Sequence, residues 1–449
     1  MSVPAALSSG PSLQPIRIAI AGGGIAGLCL TIGLLRYPQI QIQIYEAAAK
    51  FSEIGAGVAF GINAQRALWL LDPRIKGAYE KIGTSNVSSN VHADQEKSTY
   101  FKIQLGIDHK DGKAKAGDAI CEVMCQGGFS SVHRANFLDE MVALLPDEVR
   151  SNNVSFGHKV VSVKDGEKGK GVALNFANGS TATADVLIGC DGIKSEIRKI
   201  VLGRDSPEAH ATFTGKYAYR GLIPMSKAAA TLGDSLARNS QHYHGYDGHV
   251  LTFPIEKEKT MNVVAFRTKR DGEWKDEEWV KPVEREEMER DFKGWGSNVQ
   301  AILRMMEKCD IWALFDHPPA KTYHKSGKIC LLGDAAHAST PHHGSGAGMA
   351  VEDAFILSRL LGEIQDVKEL EFAFETYEMI RKDRTQRLVR SSRDQAMIYE
   401  WQADGIGDDL QKISEILPYR WDWIWDEILE DELKEAKSIL KRRVASANV

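Results

Sequence analysis

Cysteine is scarce in this chain of 449 residues: there are six, at positions 29, 121, 125, 190, 309 and 330, spaced too irregularly for a disulfide framework. The one close pair, Cys121 and Cys125, lacks zinc-site spacing and has no matching Cys/His pair nearby. Reduced thiols in a cytoplasmic, reducing setting are therefore expected. An excess of charge of one sign is also missing. A net charge of −5, from 56 Lys and Arg against 61 Asp and Glu, gives no electrostatic reason to expect nucleic acid. No internal repeat or low-complexity segment breaks the chain. Residues 1–14, rich in Ser, Ala and Pro, read as a flexible tail without the basic start and apolar core of a secretory signal. The length suits one large composite unit or two to three domains.

One long uncharged run stands out, eighteen residues from Ile18 to Leu35, nearly long enough for a membrane span. Gly22, Gly23 and Gly24 interrupt it, and each glycine costs a continuous helix about 1 kcal/mol relative to alanine. The run divides there into a β-branched strand over Ile16–Ala21 and a helix over Ile25–Leu35, so no membrane span is expected. In the spacing Gly22-x-Gly24-x-x-Gly27 the first glycine permits a tight turn, the second lets the backbone approach a pyrophosphate, and the third lets helix pack closely on strand. Phosphates would sit on the unpaired amides of the helix start. A second strand over Ile40–Tyr45 ends at Glu46, nineteen residues beyond Gly27, the position of a carboxylate that grips ribose hydroxyls.

Two further strand ends follow far downstream. The segment Ala184–Arg198 reads as a buried strand ending in Asp191-Gly192, with Ser195 and Arg198 on the next turn. The segment Gly327–Ala354 reads as a strand over Ile329–Leu332, the pair Gly333-Asp334, a Pro-His-His-Gly loop, and a helix opening at Gly346, Ala347 and Gly348. Ligands of open α/β sheets bind beyond the carboxyl ends of strands, so three such ends describe one extended ligand across one sheet. No second glycine fingerprint is present.

Taken in order, Gly22-x-Gly24-x-x-Gly27 with Glu46, Asp191-Gly192 and Gly333-Asp334-Ala-Ala-His337 resemble the FAD-dependent aromatic hydroxylases of the p-hydroxybenzoate hydroxylase type. The likeness runs over about residues 16 to 395 and includes Glu53–Asp72, His133–Val142 and Tyr377–Arg393. Within that family the motifs point to the salicylate-hydroxylase-like branch, which includes fungal enzymes. The resemblance implies an α/β fold with a Rossmann-like FAD-binding domain on a parallel sheet, an antiparallel β-sheet substrate domain and a C-terminal helical segment. It implies FAD as cofactor, NADH or NADPH as co-substrate, and oxygen transfer to a small phenol through a flavin hydroperoxide. It further implies that Glu46 holds the adenosine ribose, Arg134 reaches the phosphate–ribityl region, Ala59 lies against the cofactor, Asp334 binds a ribityl hydroxyl, and Asp191-Gly192 serves both FAD and nicotinamide. The helix start at Gly346, Ala347 and Gly348 would stabilise negative charge on a reduced flavin. A monomer or homodimer is expected.

From about Gly203 to Gly296 the pattern turns to strands: Thr214–Met225, Gly248–Ile255 and Thr260–Lys269. The organisation read from this is a tail over 1–14, FAD-binding segments over 15–202 and 297–398, a substrate sheet over 203–296, and helical residues 399–449. Arg220 is the outstanding cation of the sheet, able to fork onto a carboxylate or phenolate, or else to pair with a sheet-edge carboxylate. Phe253 precedes Pro254 where the dearomatising enzymes of the family are understood to carry a phenolate-holding tyrosine, which weakens that reading; Tyr217, Tyr219, Tyr243 or Tyr246 remain as substitutes. A neutral histidine can take and return a phenolic proton, or else simply bond the loop backbone; of His342 and His343 the resemblance favours His342, because the salicylate-hydroxylase-like branch carries a histidine directly after this proline. His337 is expected to pack beside the cofactor, the remaining histidines to be surface residues, and Asp271–Asp291 to be a solvated helix. No metal site is suggested. Residues Arg420–Arg443 carry Trp-x-Trp as flavin halogenases do, but without the following Ile-Pro and near the C-terminus, so a helix packed on the body or a partner subunit is expected instead. The resulting expectation is a salicylate-type hydroxylase that decarboxylates its substrate to a catechol. The rivals are a hydroxylating dearomatase of a polyketide resorcinol and a non-catalytic dinucleotide-fold binder. Flavin absorbance of the purified chain separates the enzymes from the binder: a yellow protein is expected, and the binder predicts a colourless one.

Overall fold

The computed structural model describes residues 15–51, 57–87, 97–167 and 170–447. The tail expected over 1–14 and the start of the Glu53–Asp72 motif lie outside these residues. The first strand, Ile16–Ala21, is apolar at nearly every position and is buried on both faces, as a central parallel strand requires. It pairs in parallel with Val186–Gly189 on one side and Ile40–Tyr45 on the other, and Ile329–Leu331 adds beyond Val186–Gly189. The outer neighbours are Val154–Ser155, parallel, and His324–Lys325, antiparallel. The register aligns Ala21, Tyr45, Gly189 and Leu331, so Gly22, Glu46, Asp191 and Asp334 all follow strand tips on one edge.

An eight-stranded sheet faces that edge. Its order is Val280–Pro282, Asp310–Asp316, Thr212–Pro224, Thr260–Thr268, Gly248–Ile255, Gln241–Gly245, Lys97–Leu105 and Ala119–Gln126. All neighbours are antiparallel except Gln241–Gly245 with Lys97–Leu105. The sheet is wider than the 203–296 segment, because periods of two on either side of that segment find edge partners on it. Residues 271–291 are not one helix: they run through irregular chain and the strand Val280–Pro282 to a short helix over Arg285–Asp291. Arg198 lies inside the helix Glu196–Leu202 rather than on a turn, because the Ser195 hydroxyl caps the backbone there. The C-terminal helix Leu429–Ala447 packs on the body through Leu429, Ala436 and Leu440, and Trp421 and Trp425 are buried ahead of it. Among the described residues no helix is long and apolar enough to cross a membrane. All six cysteines are free thiols.

Two helices join the halves. Gly346–Glu363 packs against the fingerprint helix Ile25–Leu34, and the 30-residue helix Leu370–Tyr399 packs on Gly346–Glu363. Between them the wholly buried Arg381 meets Glu352 at 2.6 Å and Asp353 at 2.9 Å, and Arg384 meets Glu352 at 2.9 Å. Burial by itself would raise the Glu352 carboxyl, but Arg384 and Arg381 outweigh it and hold the group below its ordinary range. Removing one member of such a cluster leaves uncompensated buried charge. Glu352→Ala is expected to lower unfolding free energy by about 3–5 kcal/mol, measured by denaturant titration.

Candidate active site

A cavity of about 610 Å³ lies between the strand tips and the face of the large sheet. At its dinucleotide end the three fingerprint glycines do different work. Gly22 has φ +106°, and a Cβ there would meet the Cys190 carbonyl oxygen at 2.3 Å; a Cβ on Gly27 would meet the Gly22 carbonyl oxygen at 2.0 Å. A Cβ on Gly24 would meet nothing within 4 Å among the described residues, and Gly24 opens on the cavity. The helix it starts has no side-chain cap and no acid in its first turn, which leaves its amides for an anion. Glu46 lines the cavity and accepts from the amides of Gly23 at 2.6 Å and Ala48 at 2.8 Å. Ala59, Arg134, Lys194 and Asp334 also line it, and the Asp334 side chain is exposed to it.

The helix Gly346–Glu363 likewise starts without a side-chain cap, and Gly346 and Ala347 line the cavity. Gly348 does not; a Cβ there would meet Ala64 at 2.9 Å, so its smallness serves helix packing. The Asp191 carboxylate is turned into the helix it precedes, accepting from the Ser195 hydroxyl at 2.6 Å and the Glu196 amide at 2.8 Å. Burial raises it above the usual carboxylate range despite these bonds. Arg198 donates to the carbonyls of Ala335, Ala336 and Pro318 and braces the Asp334 turn from behind. His337 is bonded to Asp353 at 2.5 Å within the core and does not line the cavity, contrary to its expected place beside the cofactor. The open glycine, two uncapped helix starts, basic side chains and carboxylates at strand tips fit a flavin dinucleotide.

The other end is built from one face of the large sheet. Trp312, Ala218, Phe266 and His249 are register partners across four strands, and Arg220, Val264, Leu251 and His242 form the next row on that face. Tyr100, Phe129, Phe253, His342, Tyr399 and Trp421 close the box. Arg220 stands mid-strand, stacked over Trp312 at 4.6 Å. Asp310 lies directly across in register, yet makes no ion pair with it, and the Arg220 Nε has no hydrogen-bond partner among the described residues. Burial, with Arg134 nearby, pulls the guanidinium down to about 10, which leaves it a cation at neutral pH. Both ring nitrogens of His342 lack partners among the described residues, and burial pushes it well below the ordinary histidine range. His343 is tied instead to Ser391 at 2.8 Å.

Several residues were not visible as site members in the sequence. His242, His244, His249 and His317 are buried rather than surface residues, and His242 and His249 line the cavity. The signal was there in part: His249, Leu251 and Phe253 alternate along one strand. None of the four candidate tyrosines lines the cavity. Tyr217 and Tyr219 donate to Asp291, Tyr246 to Asp408 at 2.8 Å, and the Tyr243 hydroxyl is buried without a partner among the described residues. Tyr100 and Tyr399 stand in the box instead.

A family profile described as an FAD binding domain matches residues 16–392. The chain is 38% identical over 428 residues to the 6-methylsalicylate 1-monooxygenase atA of Aspergillus terreus, covering 94% of this chain and 92% of that one. It is 36% identical over 436 residues to a salicylate hydroxylase of Pseudomonas putida, covering 95% of each. A solved salicylate hydroxylase substrate complex superposes with a TM-score of 0.81 at 35% identity, covering 95% of this chain and 98% of that one.

The glycine geometry separates binding from folding. Gly24→Val is expected to leave the thermal midpoint unchanged and weaken FAD binding at least about tenfold, by fluorescence titration, because the new side chain enters only the space of the phosphates.

Proposed function

Since the chain belongs to the FAD-binding-domain family and is an FAD-dependent monooxygenase of the salicylate hydroxylase type, we propose that its substrate is a small 2-hydroxybenzoate, hydroxylated with loss of carbon dioxide to give a catechol. The observation that carries this reading is Arg220: a half-buried cation that opens on the cavity, with no carboxylate partner among the described residues, set in an otherwise aromatic box with neutral histidines. A guanidinium held partly out of water without a counter-charge costs free energy that an anionic ligand would offset. A planar carboxylate matches its fork of N–H donors. The names of the two relatives, a salicylate and a 6-methylsalicylate hydroxylase, support the same substrate class.

Bound FAD, reduced by NAD(P)H, supplies the activation of dioxygen. The remaining steps fall to the chain. Gly24, Glu46, Arg134, Asp334 and the amides at Gly346 and Ala347 hold and orient the dinucleotide. Arg220 holds the anionic end of the substrate, and the aromatic walls sandwich its ring and exclude water. The neutral imidazoles that line the box receive the phenolic proton, which leaves the ring electron-rich at the ortho carbon that bears the carboxylate. One oxygen atom joins that carbon, carbon dioxide departs, the second oxygen atom leaves as water, and NAD(P)H provides the two electrons. Phe253 has no hydroxyl to offer a buried phenolate, which weighs against the dearomatisation of a polyketide resorcinol.

NAD(P)H oxidation with salicylate and 6-methylsalicylate, with products resolved by chromatography, tests the reading: catechols are expected, and peroxide without an oxygenated product overturns it. Arg220→Ala is expected to raise KM by roughly 10- to 150-fold, the equivalent of losing about 1.5–3 kcal/mol of charge-assisted hydrogen bonding.

A further inference from the structure

Against the aromatic box lies a buried ionic group that neither holds the dinucleotide nor meets the substrate carboxylate. Glu400, directly after the helix Leu370–Tyr399, is only 1% exposed. One of its carboxylate oxygens lies 2.6 Å from the Lys216 ammonium and also accepts from the Thr268 hydroxyl; the other lies 3.2 Å from Nδ1 of His249. An ion-paired carboxylate only accepts, so Nδ1 of His249 must carry the proton and Nε2 must present a lone pair. That Nε2 has no partner among the described residues, and His249 lines the cavity. The ring is clamped as well as oriented: it stacks on Phe266 at 4.2 Å and on His242 at 5.2 Å. His342 has neither nitrogen anchored among the described residues. An imidazole whose tautomer and plane are fixed by a carboxylate is the better-prepared base.

We propose that His249, oriented by Glu400, is the group that takes the proton from the bound phenol, with His342 beside it as a hydrogen-bonding neighbour; this rests on the phenolic-acid reading above. In the step the O–H bond breaks, both its electrons stay on the phenolate oxygen, and the proton goes to Nε2. The imidazolium that results is stabilised through Nδ1–H by Glu400. No group is oxidised or reduced. His249 touches the substrate and is the catalytic residue; Glu400 acts through it and is a positioning residue.

The charged and titratable groups around His249 agree with this. His242 and His244 face it from the strand Gln241–Gly245, Lys216 from Thr212–Pro224, His342 from the loop, and Tyr399 and Glu400 from the helix end. Burial, then His242 and Lys216, push His249 well below the ordinary histidine range, so it stands neutral at neutral pH and able to accept. His242 is pushed down to about 3 by burial and bonds His244, which leaves His249 as the imidazole joined to a carboxylate. Ligand atoms of His249, His342 and Glu400 lie within 4.8 Å of one another, close enough to suggest a metal. The Lys216 ammonium already occupies Glu400, and a dication would have to sit beside it.

A nitro-substituted 2-hydroxybenzoate, whose phenolate is coloured, reports ionisation in the FAD-loaded protein without turnover. Absorbance of the bound probe is followed against pH in the parent protein and in Glu400→Gln, Glu400→Asp, His249→Gln and His342→Gln. Glu400→Gln and His249→Gln are expected to raise the ionisation midpoint of the bound phenol by about one pH unit or more, a tenfold weakening of its acidity, with Glu400→Asp restoring part of it. A midpoint that moves with His342→Gln but not with His249→Gln or Glu400→Gln overturns the proposal. Failure of the parent protein to bind the probe overturns the phenolic-acid reading and this proposal with it. Should Glu400→Gln not fold, His249→Gln, which keeps the Lys216–Glu400 pair, decides alone.

Discussion

The guanidinium of Arg381 lies between Glu352 and Asp353 of one helix and Glu432 of another, with none of its own side chain exposed. Asp353 passes the connection to His337, and so to the turn that carries Asp334 at the cofactor end. The helix bearing Arg381 runs on to Tyr399 and Glu400 at the substrate end. One alignment of these helices satisfies every buried charge, and a slip of one turn would strand several at a cost of several kcal/mol each. The distance between the strand tips at one end of the cavity and the aromatic box at the other therefore follows from this cluster.

The cavity itself behaves as two solvents. Its dinucleotide end offers amides, basic side chains, the exposed carboxylate of Asp334 and the half-buried one of Glu46, which suits phosphates and sugar hydroxyls. Its other end offers indole, phenyl and imidazole rings, with His242, His249 and His342 all held neutral by burial. In that dry region Arg220 exerts its charge with little screening, and a negative ligand gains more there than it would in water. The same dryness protects reactive oxygen chemistry from water.

The parallel sheet and its glycine turn were legible because local rules decide them: β-branched runs, a glycine triplet, and an acid at the next strand tip. Strand Ile16–Ala21 and strand Ile40–Tyr45 occupy the residues the pattern indicates. His342 and His343 both line the cavity, His343 tied to Ser391 and His342 with neither ring nitrogen partnered among the described residues. What stayed hidden depends on contacts distant in sequence. His249 reads as an ordinary polar residue on an exposed strand until Glu400, 151 residues later, meets it. Tyr217 and Tyr219 were misplaced because the charged stretch ending in Asp291, read as a solvated helix, folds back to receive both hydroxyls.

The large sheet is assembled from three stretches of chain, 97–126, 212–268 and 280–316, and its one parallel pairing brings Gln241–Gly245 beside Lys97–Leu105. Such pairings must close long loops before any contact rewards them, which slows folding. During synthesis the strands around Lys97 and Ala119 must wait, edges unpaired, for more than a hundred further residues. The cavity acquires its last walls only when Tyr399 and Trp421 have emerged from the ribosome. Early capture of the dinucleotide by the first strand–turn–helix unit would thus give the nascent chain a partly ordered core while the rest of the pocket is still unmade.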